Sequence, residues 1–333
     1  MPPRVSPDVL RLADPEAAIE EIAAGLRSTV RGFRRRGAVL GLSGGVDSSV
    51  VVALAARAFG PAQVLGVLMP EADSAEDTLA LGRLAADAFD VPTVVEDITG
   101  VLEAVGCYRR RDEAIRRVIP DYGPGWRSKL VLPSVVDADQ FRLFSLVARA
   151  PDGREERARL PLDAYLQVVA ATNFKQRTRK MLEYYHADRL NFAVLGTPNR
   201  LEYDQGFFVK NGDGAADVKP IAHLYKTQVY QLAEALGVPE EIRSRPPTTD
   251  TYSLPQTQEE FYFSLPYDRM DLCLYAVDHG VAAAEVADAL GLEGEQVERV
   301  FADIAAKRRV ARYLHAAPVA LATGAGGSPP GAP

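Results

Sequence analysis

The sequence predicts an α/β protein built on a doubly wound, mostly parallel sheet with helices on both faces. Three observations carry that prediction. Short apolar runs alternate along the chain with longer stretches that place apolar residues at helical spacing. The apolar runs lack in-and-out alternation, which suits strands buried on both faces of a parallel sheet. Finally, a glycine-rich stretch, GLSGGVDSS at residues 41–49, lies between one such run and one such helix, where α/β sheets place their ligands.

The elements follow in order. AVLGL (38–42) is the first strand, after the basic run RGFRRRG, and the helix DSSVVVALAARAF follows the loop and stops at Gly60-Pro61. VLGVLM (64–69) is the second strand. Ser74 and Asp77 in SAED resemble a capping box that opens the helix DTLALGRLAADAF. TVVEDI (93–98) and FAVLG (192–196) complete the buried strands. Residues 107–163 interrupt the alternation. There GPGW and a break at Pro133 precede FRLFSLVARA, a Pro-Asp-Gly turn and REERARLP, a pattern that predicts a β-hairpin inserted beside the sheet. No internal repeat is visible. From Pro318 the chain turns Gly/Ala/Pro-rich, so residues 318–333 are expected to be a disordered tail behind a single domain of residues 1–317.

Composition bounds the function. The chain has 333 residues, 47% hydrophobic and 25% charged, enough to bury a substantial core. Cys107 and Cys273 are the only cysteines, too few for a disulfide framework and without CxxC spacing for zinc. No signal pattern opens the sequence and no apolar run nears the ~20 residues of a membrane span, so a reducing, cytoplasmic setting without membrane attachment is expected. A net charge of −7 argues against a general nucleic-acid binder. The clusters Arg109, Arg110, Arg111 and Arg116, Arg117 suit either a solvated helix face or a phosphate.

The loop has its own logic. It leaves a strand and enters a helix, so its free N–H groups and the helix dipole point at one spot that favours an anion. Gly44 and Gly45 are read as permitting positive φ and close approach of a phosphate, and Ser43, Ser48 and Ser49 as hydroxyl donors. Asp47 would repel phosphate unless a cation intervenes, which implies Mg²⁺. There is no G-x-x-x-x-G-K-[ST] and no G-x-G-x-x-G, which speaks against the common NTPase and dinucleotide-oxidoreductase loops.

SGGVDSS instead resembles the pyrophosphate loop of the N-type ATP pyrophosphatases, whose fold is adenine nucleotide alpha hydrolase-like. These enzymes cleave ATP between the α- and β-phosphates. TNFKQRTRKMLEYY (172–185), the run VLGTPNRLEYDQGFFVKNGDGAADVKPIAHLYKTQVYQLAEALGVP (194–238) and RPPTTDTYSLPQTQEE (245–260) further resemble the NAD synthetase family, in the same order. With the loop and MPEADSAED, the resemblance spans most of residues 38–272.

Carried over position by position, the resemblance assigns Gly41, Leu42, Ser43, Gly44, Gly45, Val46, Asp47 and Ser48 to ATP phosphates, with Ser49 beside them. It assigns Asp47 and Glu202 to Mg²⁺, Thr197 and Thr248 to ATP, and Lys226 to neutralising phosphate charge. Arg177, Lys210 and Asp217 fall on positions that hold the dinucleotide acid, Asp217 through ribose hydroxyls. Arg177 and Arg179 lie in a charged helix that equally suits a solvated face. His315 matches the histidine of a His-Lys pair whose lysine position is Ala316 here. A second departure is PQTQEE, where Gln258 replaces an acid, and a third is the insertion at 107–163, longer than the family's usual one; the ATP half is intact and the acid-substrate half is altered.

The function implied is ATP-dependent amidation of nicotinic acid adenine dinucleotide to NAD through an acyl-adenylate, with ammonia as nucleophile and AMP and pyrophosphate released. Two alternatives stay open. One is an adenylating amide synthetase for another carboxylate, and the other a nucleotide-binding paralogue without turnover. About 37 residues precede the first strand, and neither cysteine has an amidase domain around it, so free ammonium is expected to suffice. A separate amidotransferase could supply it in the cell. The resemblance also implies a homodimer.

Overall fold

The computed structural model describes residues 6–75, 77–132, 144–248 and 251–319. The expected disordered tail lies outside the described residues except for Pro318 and Val319.

In chain order the elements are α1 (Pro15–Gly32), β1 (Ala38–Gly41), α2 (Val46–Phe59), β2 (Val64–Leu68), α3 (Thr78–Asp87), β3 (Thr93–Val95), α4 (Thr99–Ala104) and α5 (Cys107–Arg116). Then come β4 (Arg127–Val131), β5 (Ser145–Arg149), β6 (Glu155–Arg159), α6 (Leu162–Leu190), β7 (Ala193–Val194) and α7 (Arg200–Gln205). The chain continues with α8 (Lys226–Ala235), α9 (Glu240–Arg243), α10 (Tyr267–His279), α11 (Ala283–Leu290) and α12 (Gly294–His315).

The central sheet has the order β3-β2-β1-β7 and every pairing is parallel, Ala38 lying opposite both Val64 and Ala193. Period-two alternation sends Ala38 and Leu40 into the core beneath α1, α2 and α8, and Val39 into the core beneath α4, α5 and α6. Both faces are therefore covered, which is why β1 and β2 read as continuous apolar runs. β3 and β7 are shorter than their sequence runs. Leu195, just beyond β7, makes a parallel bridge to Val218 instead.

Helix boundaries follow local chemistry. α1 opens with Asp14 accepting the Ala17 N–H at 3.0 Å, with Pro15 as its first residue. α2 stops at Gly60, whose φ of 81° ends the helix. The capping box expected at Ser74 does not form. The Ser74 hydroxyl instead accepts the Glu71 N–H at 3.1 Å, and Asp77, the residue before α3, makes no side-chain cap.

The expected hairpin is present as β5 and β6, antiparallel with Ala148 opposite Glu156. The sequence reading omitted a third strand. β4 pairs antiparallel with β5, making a separate three-stranded sheet whose inner face packs on α5 and α6 through Leu130, Leu146, Ile115 and Val168. No helix among the described residues is long and apolar enough to cross a membrane.

Candidate active site

β1 and β7 are neighbours in the sheet, and the helices that follow their carboxyl ends, α2 and α7, carry Asp47 and Glu202 in their first turns. This is the edge of a doubly wound sheet where strand order reverses and ligands collect. A cavity of about 1490 Å³ opens there. It runs from the glycine-rich loop, past α6 and the loop after β7, to Trp126 and Arg127 at the start of β4.

The glycine-rich loop is held by its own hydroxyls. The Ser48 and Ser49 hydroxyls donate to the Gly45 carbonyl at 3.0 and 2.9 Å, and Ser43 Oγ lies 3.2 Å from Ser48 Oγ. The first-turn N–H groups of α2 thus face the cavity with no carbonyl behind them to bind. Gly44 has φ 76°, and a Cβ there would lie 2.6 Å from Leu81 Cβ, so both conformation and packing demand glycine. Gly45 differs from the sequence reading. Its φ is −87°, and a Cβ would meet only Ser43 Oγ at 3.4 Å, so this glycine is bare toward the cavity rather than left-handed.

Asp47 forms a short ion pair with Lys226, the first residue of α8, which is 2% exposed. Its other oxygen accepts the Asn199 side-chain amide at 3.1 Å. Asn199 also caps α7, accepting the Glu202 N–H while Glu202 Oε2 accepts the Asn199 N–H, both at 3.2 Å. Glu202 Oε1 takes a second donor, the Gln258 amide at 2.9 Å. One asparagine therefore ties both acids together. Burial, reinforced by the nearby Asp47 carboxylate, pushes the Glu202 carboxyl up to about 8 despite the pull of Lys226. Burial alone would lower the Lys226 ammonium, but Asp47 and Glu202 outweigh it and raise it. Lys226 is fixed from below by Asp271 on α10, fully buried, whose carboxylate accepts the Lys226 and Thr227 N–H groups at 3.2 and 2.7 Å.

Lys226 balances only one of the two acids, and the second is neutral because it holds a proton, which an oxygen-seeking cation would displace. Among the described residues no group of three or more His, Cys, Asp or Glu could hold a metal unaided. Oxygens of a bound ligand would have to complete the shell.

Of the other residues singled out in the sequence, Thr197, Thr248, Arg177 and Lys210 line the cavity. Three do not. Ser49 is fully buried and turned toward Gly45. Asp217 accepts the Val194 N–H at 2.8 Å and the Tyr184 hydroxyl at 3.3 Å, so its carboxylate helps to secure the end of β7. His315 lies against the Tyr203 carbonyl at 2.9 Å, in a separate shallow groove. The Lys210 ammonium, for its part, donates to the carbonyls of Tyr313 and Ala316 at 2.8 and 3.0 Å. Gln258 is close by. It lines the cavity and touches Glu202, so this departure sits beside the Asp47–Glu202 pair.

With that geometry in view, the description "NAD synthase" matches the chain over residues 18–117 and 155–311. The chain belongs to the NAD synthase family. It is 64% identical over 313 residues to the NH(3)-dependent NAD(+) synthetase of Rhizobium meliloti (strain 1021), covering 94% of this chain and 93% of that protein. The enzyme of the same name from Thermotoga neapolitana (strain ATCC 49049 / DSM 4359 / NBRC 107923 / NS-E) is 34% identical, over 78% of this chain and 83% of that one. Among solved structures, the NH3-dependent NAD synthetase from Campylobacter jejuni subsp. jejuni NCTC 11168 shares the fold with a TM-score of 0.62. Its identity is 20%, over 93% of this chain and 100% of that one. The NMN synthetase of Francisella tularensis also shares the fold, with a TM-score of 0.60 at 22% identity over 93% and 99%.

This member of the NAD synthase family departs from the family pattern at residues 118–154, which hold β4 and β5 and lie between the two matched stretches. Sequence reasoning missed Asn199, Asp271 and the pair formed by Lys180 and Glu183, 2.6 Å apart over Gly41. Asn199 did leave a signal, because N-x-x-E is capping-box spacing. Asp271 left none.

Proposed function

We infer that the chain catalyses ATP-dependent amidation of nicotinic acid adenine dinucleotide to NAD, with ammonia as the nitrogen donor. The convergence of the bare α2 N-terminus, Asp47, Lys226 and Glu202 at the end of β1 supports this reading most directly, and family membership supplies the substrate class. A carboxylate is a poor acyl donor, so its oxygen first attacks the ATP α-phosphorus and pyrophosphate leaves. The N–H groups of residues 46–48 receive the departing phosphates, and Lys226 neutralises charge that builds up on them. Ammonia then attacks the acyl carbon and AMP departs.

Asp47 and Glu202 are the residues that would hold Mg²⁺, with phosphate oxygens completing its shell. When bound, the ion supplies Lewis-acid charge neutralisation on the polyphosphate. Asn199 and Gln258 orient the two acids, and Asp271 holds Lys226 at its post. No side chain need form a covalent bond. Both thiols are buried and unreactive, Cys107 pushed up to about 11 and Cys273 to about 12 by burial. Placement of two anionic substrates and fixed positive charge carry the rate.

The test is AMP and pyrophosphate formation with this dinucleotide against a panel of other carboxylates, under the same ammonium and Mg²⁺. Robust turnover of the dinucleotide supports the reading. Turnover of another acid with none of the dinucleotide would overturn the substrate and leave the ATP half standing.

A further inference from the structure

The inserted sheet borders the cavity. Gly125, Trp126 and Arg127 line it, and β4 is joined to the cavity wall at residues 253–256, where the Ser128 N–H donates to Ser253 Oγ at 2.9 Å and the Leu254 N–H to the Ser128 carbonyl at 3.2 Å. The sheet has two unlike faces. Ser128, Leu130, Leu146 and Ala148 point inward and are buried. The opposite face, set by the pairings Arg127 with Arg149, Lys129 with Val147 with Arg157, and Ser145 with Arg159, carries five cations.

Two of these five are neutralised, Arg149 by Glu155 at 2.5 Å and Lys129 by Glu260 at 2.7 Å. Arg127, Arg157 and Arg159 are exposed, and no carboxylate among the described residues pairs with them. Arg127 moreover stands directly opposite Arg149, a like-charge pairing that costs a sheet stability. Because side chains alternate, Arg127, Arg157 and Arg159 share one face, and that face runs into the cavity lining through Arg127. Strand spacing and rise put Arg157 roughly 12 Å from Arg127.

Electrostatics gives this face a task. ATP and a dinucleotide acid are polyanions, and the protein carries a net charge of −7 that repels them at long range. The cavity walls offer little correction, with seven Lys and Arg against six Asp and Glu. We propose that the outer face of the β4–β5–β6 sheet is an electrostatic landing surface that steers anionic nucleotides into the cavity, with Arg127, Arg157 and Arg159 as its charges. The substrate class rests on the function inferred above; the surface itself rests on the pairing register and on the cavity lining. Fields from such a patch act over a Debye length, about 8 Å at physiological salt and about 30 Å at 0.01 M. Steering therefore raises the association rate and leaves dissociation to the cavity.

The experiment is stopped-flow association of a fluorescent ATP analogue, with salt varied from about 0.01 to about 0.5 M, comparing the full chain with the double variant Arg157→Glu, Arg159→Glu. Neither residue lines the cavity, and both are exposed on their strand, so folding is checked by an unchanged Tm. Steering predicts an association rate about five- to tenfold slower in the variant at low salt. The difference should vanish at high salt, with one dissociation rate throughout. Arg157→Lys, Arg159→Lys keeps the charge and should keep the rate. Equal association rates at low salt would overturn the proposal, as would a slowing that persists at high salt. Because nucleotide association needs no turnover, a chain that failed to amidate the dinucleotide would refute the function and leave this test readable.

Discussion

Asp47 shows how much one side chain arbitrates here. It neutralises Lys226, accepts from Asn199, and by its charge helps keep Glu202 protonated. Asp47→Asn should reduce Mg²⁺-dependent pyrophosphate release at least about a hundredfold. The chain should still fold, because Glu202 can release its proton to balance the buried ammonium and Asn keeps an acceptor for Asn199. Retained turnover with an unchanged Mg²⁺ requirement would refute the metal role. Glu202 also fixes a pH dependence. Its carboxyl binds a proton in the folded protein that the unfolded chain loses above 4.5, so the metal-free protein loses stability as pH rises from there to about 8. Asp271, raised to about 7 by burial, acts in the same sense. Between pH 7 and 8 Glu202 contributes about 1 kcal/mol, while Asp271 gives up the rest of its proton and Asp213, also raised by burial, acts in the same sense. Denaturant melts without Mg²⁺ should show that loss, and Glu202→Gln should reduce it by about 1 kcal/mol between pH 7 and 8; an unchanged pH slope would refute the role of Glu202.

At the scale of elements, β4 braces the segment that carries Gln258 and contributes to the cavity wall. Besides the two bonds of Ser128, the Gln256 amide donates to the Leu130 carbonyl and Lys129 donates to the Pro255 carbonyl. Gln256→Leu would orphan the Leu130 carbonyl and at the same time remove the unpaired Gln256 Oε1. These effects offset, so global stability should change by less than about 1 kcal/mol. The segment itself should loosen. Hydrogen exchange of amides 251–261 should quicken and the KM for ATP should rise severalfold with kcat nearly unchanged, whereas protection equal to that of the parent would show that β4 braces nothing.

For the whole molecule, the question is the source of nitrogen. Neither thiol lines the cavity, and burial keeps both protonated. We therefore predict that ammonium alone supports full turnover by the purified chain and that glutamine does not replace it. Measuring product with each as sole nitrogen source decides the matter, and efficient use of glutamine by the chain alone would refute the prediction.

The sequence by itself determined the central strands, the loop after β1 and the family, because those signals are local. Alternation of apolar runs, glycines at a strand end and acids at fixed offsets survive in one dimension. The tertiary structure decided which polar groups meet. Gln258 reaches Glu202 across 56 positions and Asp271 holds α8 across 45, and no periodicity records either contact. α6 shows the same limit from the other side. For Arg177 and Arg179 the sequence left a site and a solvated face equally open, and it gave no sign that Lys175, two residues before Arg177, is buried against Glu71 at 2.9 Å and Asp73 at 2.7 Å, or Lys180 against Glu183. The direction of Ser49, Asp217 and His315 was likewise settled by which carbonyl or N–H stood within reach. A hydrogen bond depends on distance and angle between atoms, and only the folded chain brings groups far apart in sequence to within 3 Å.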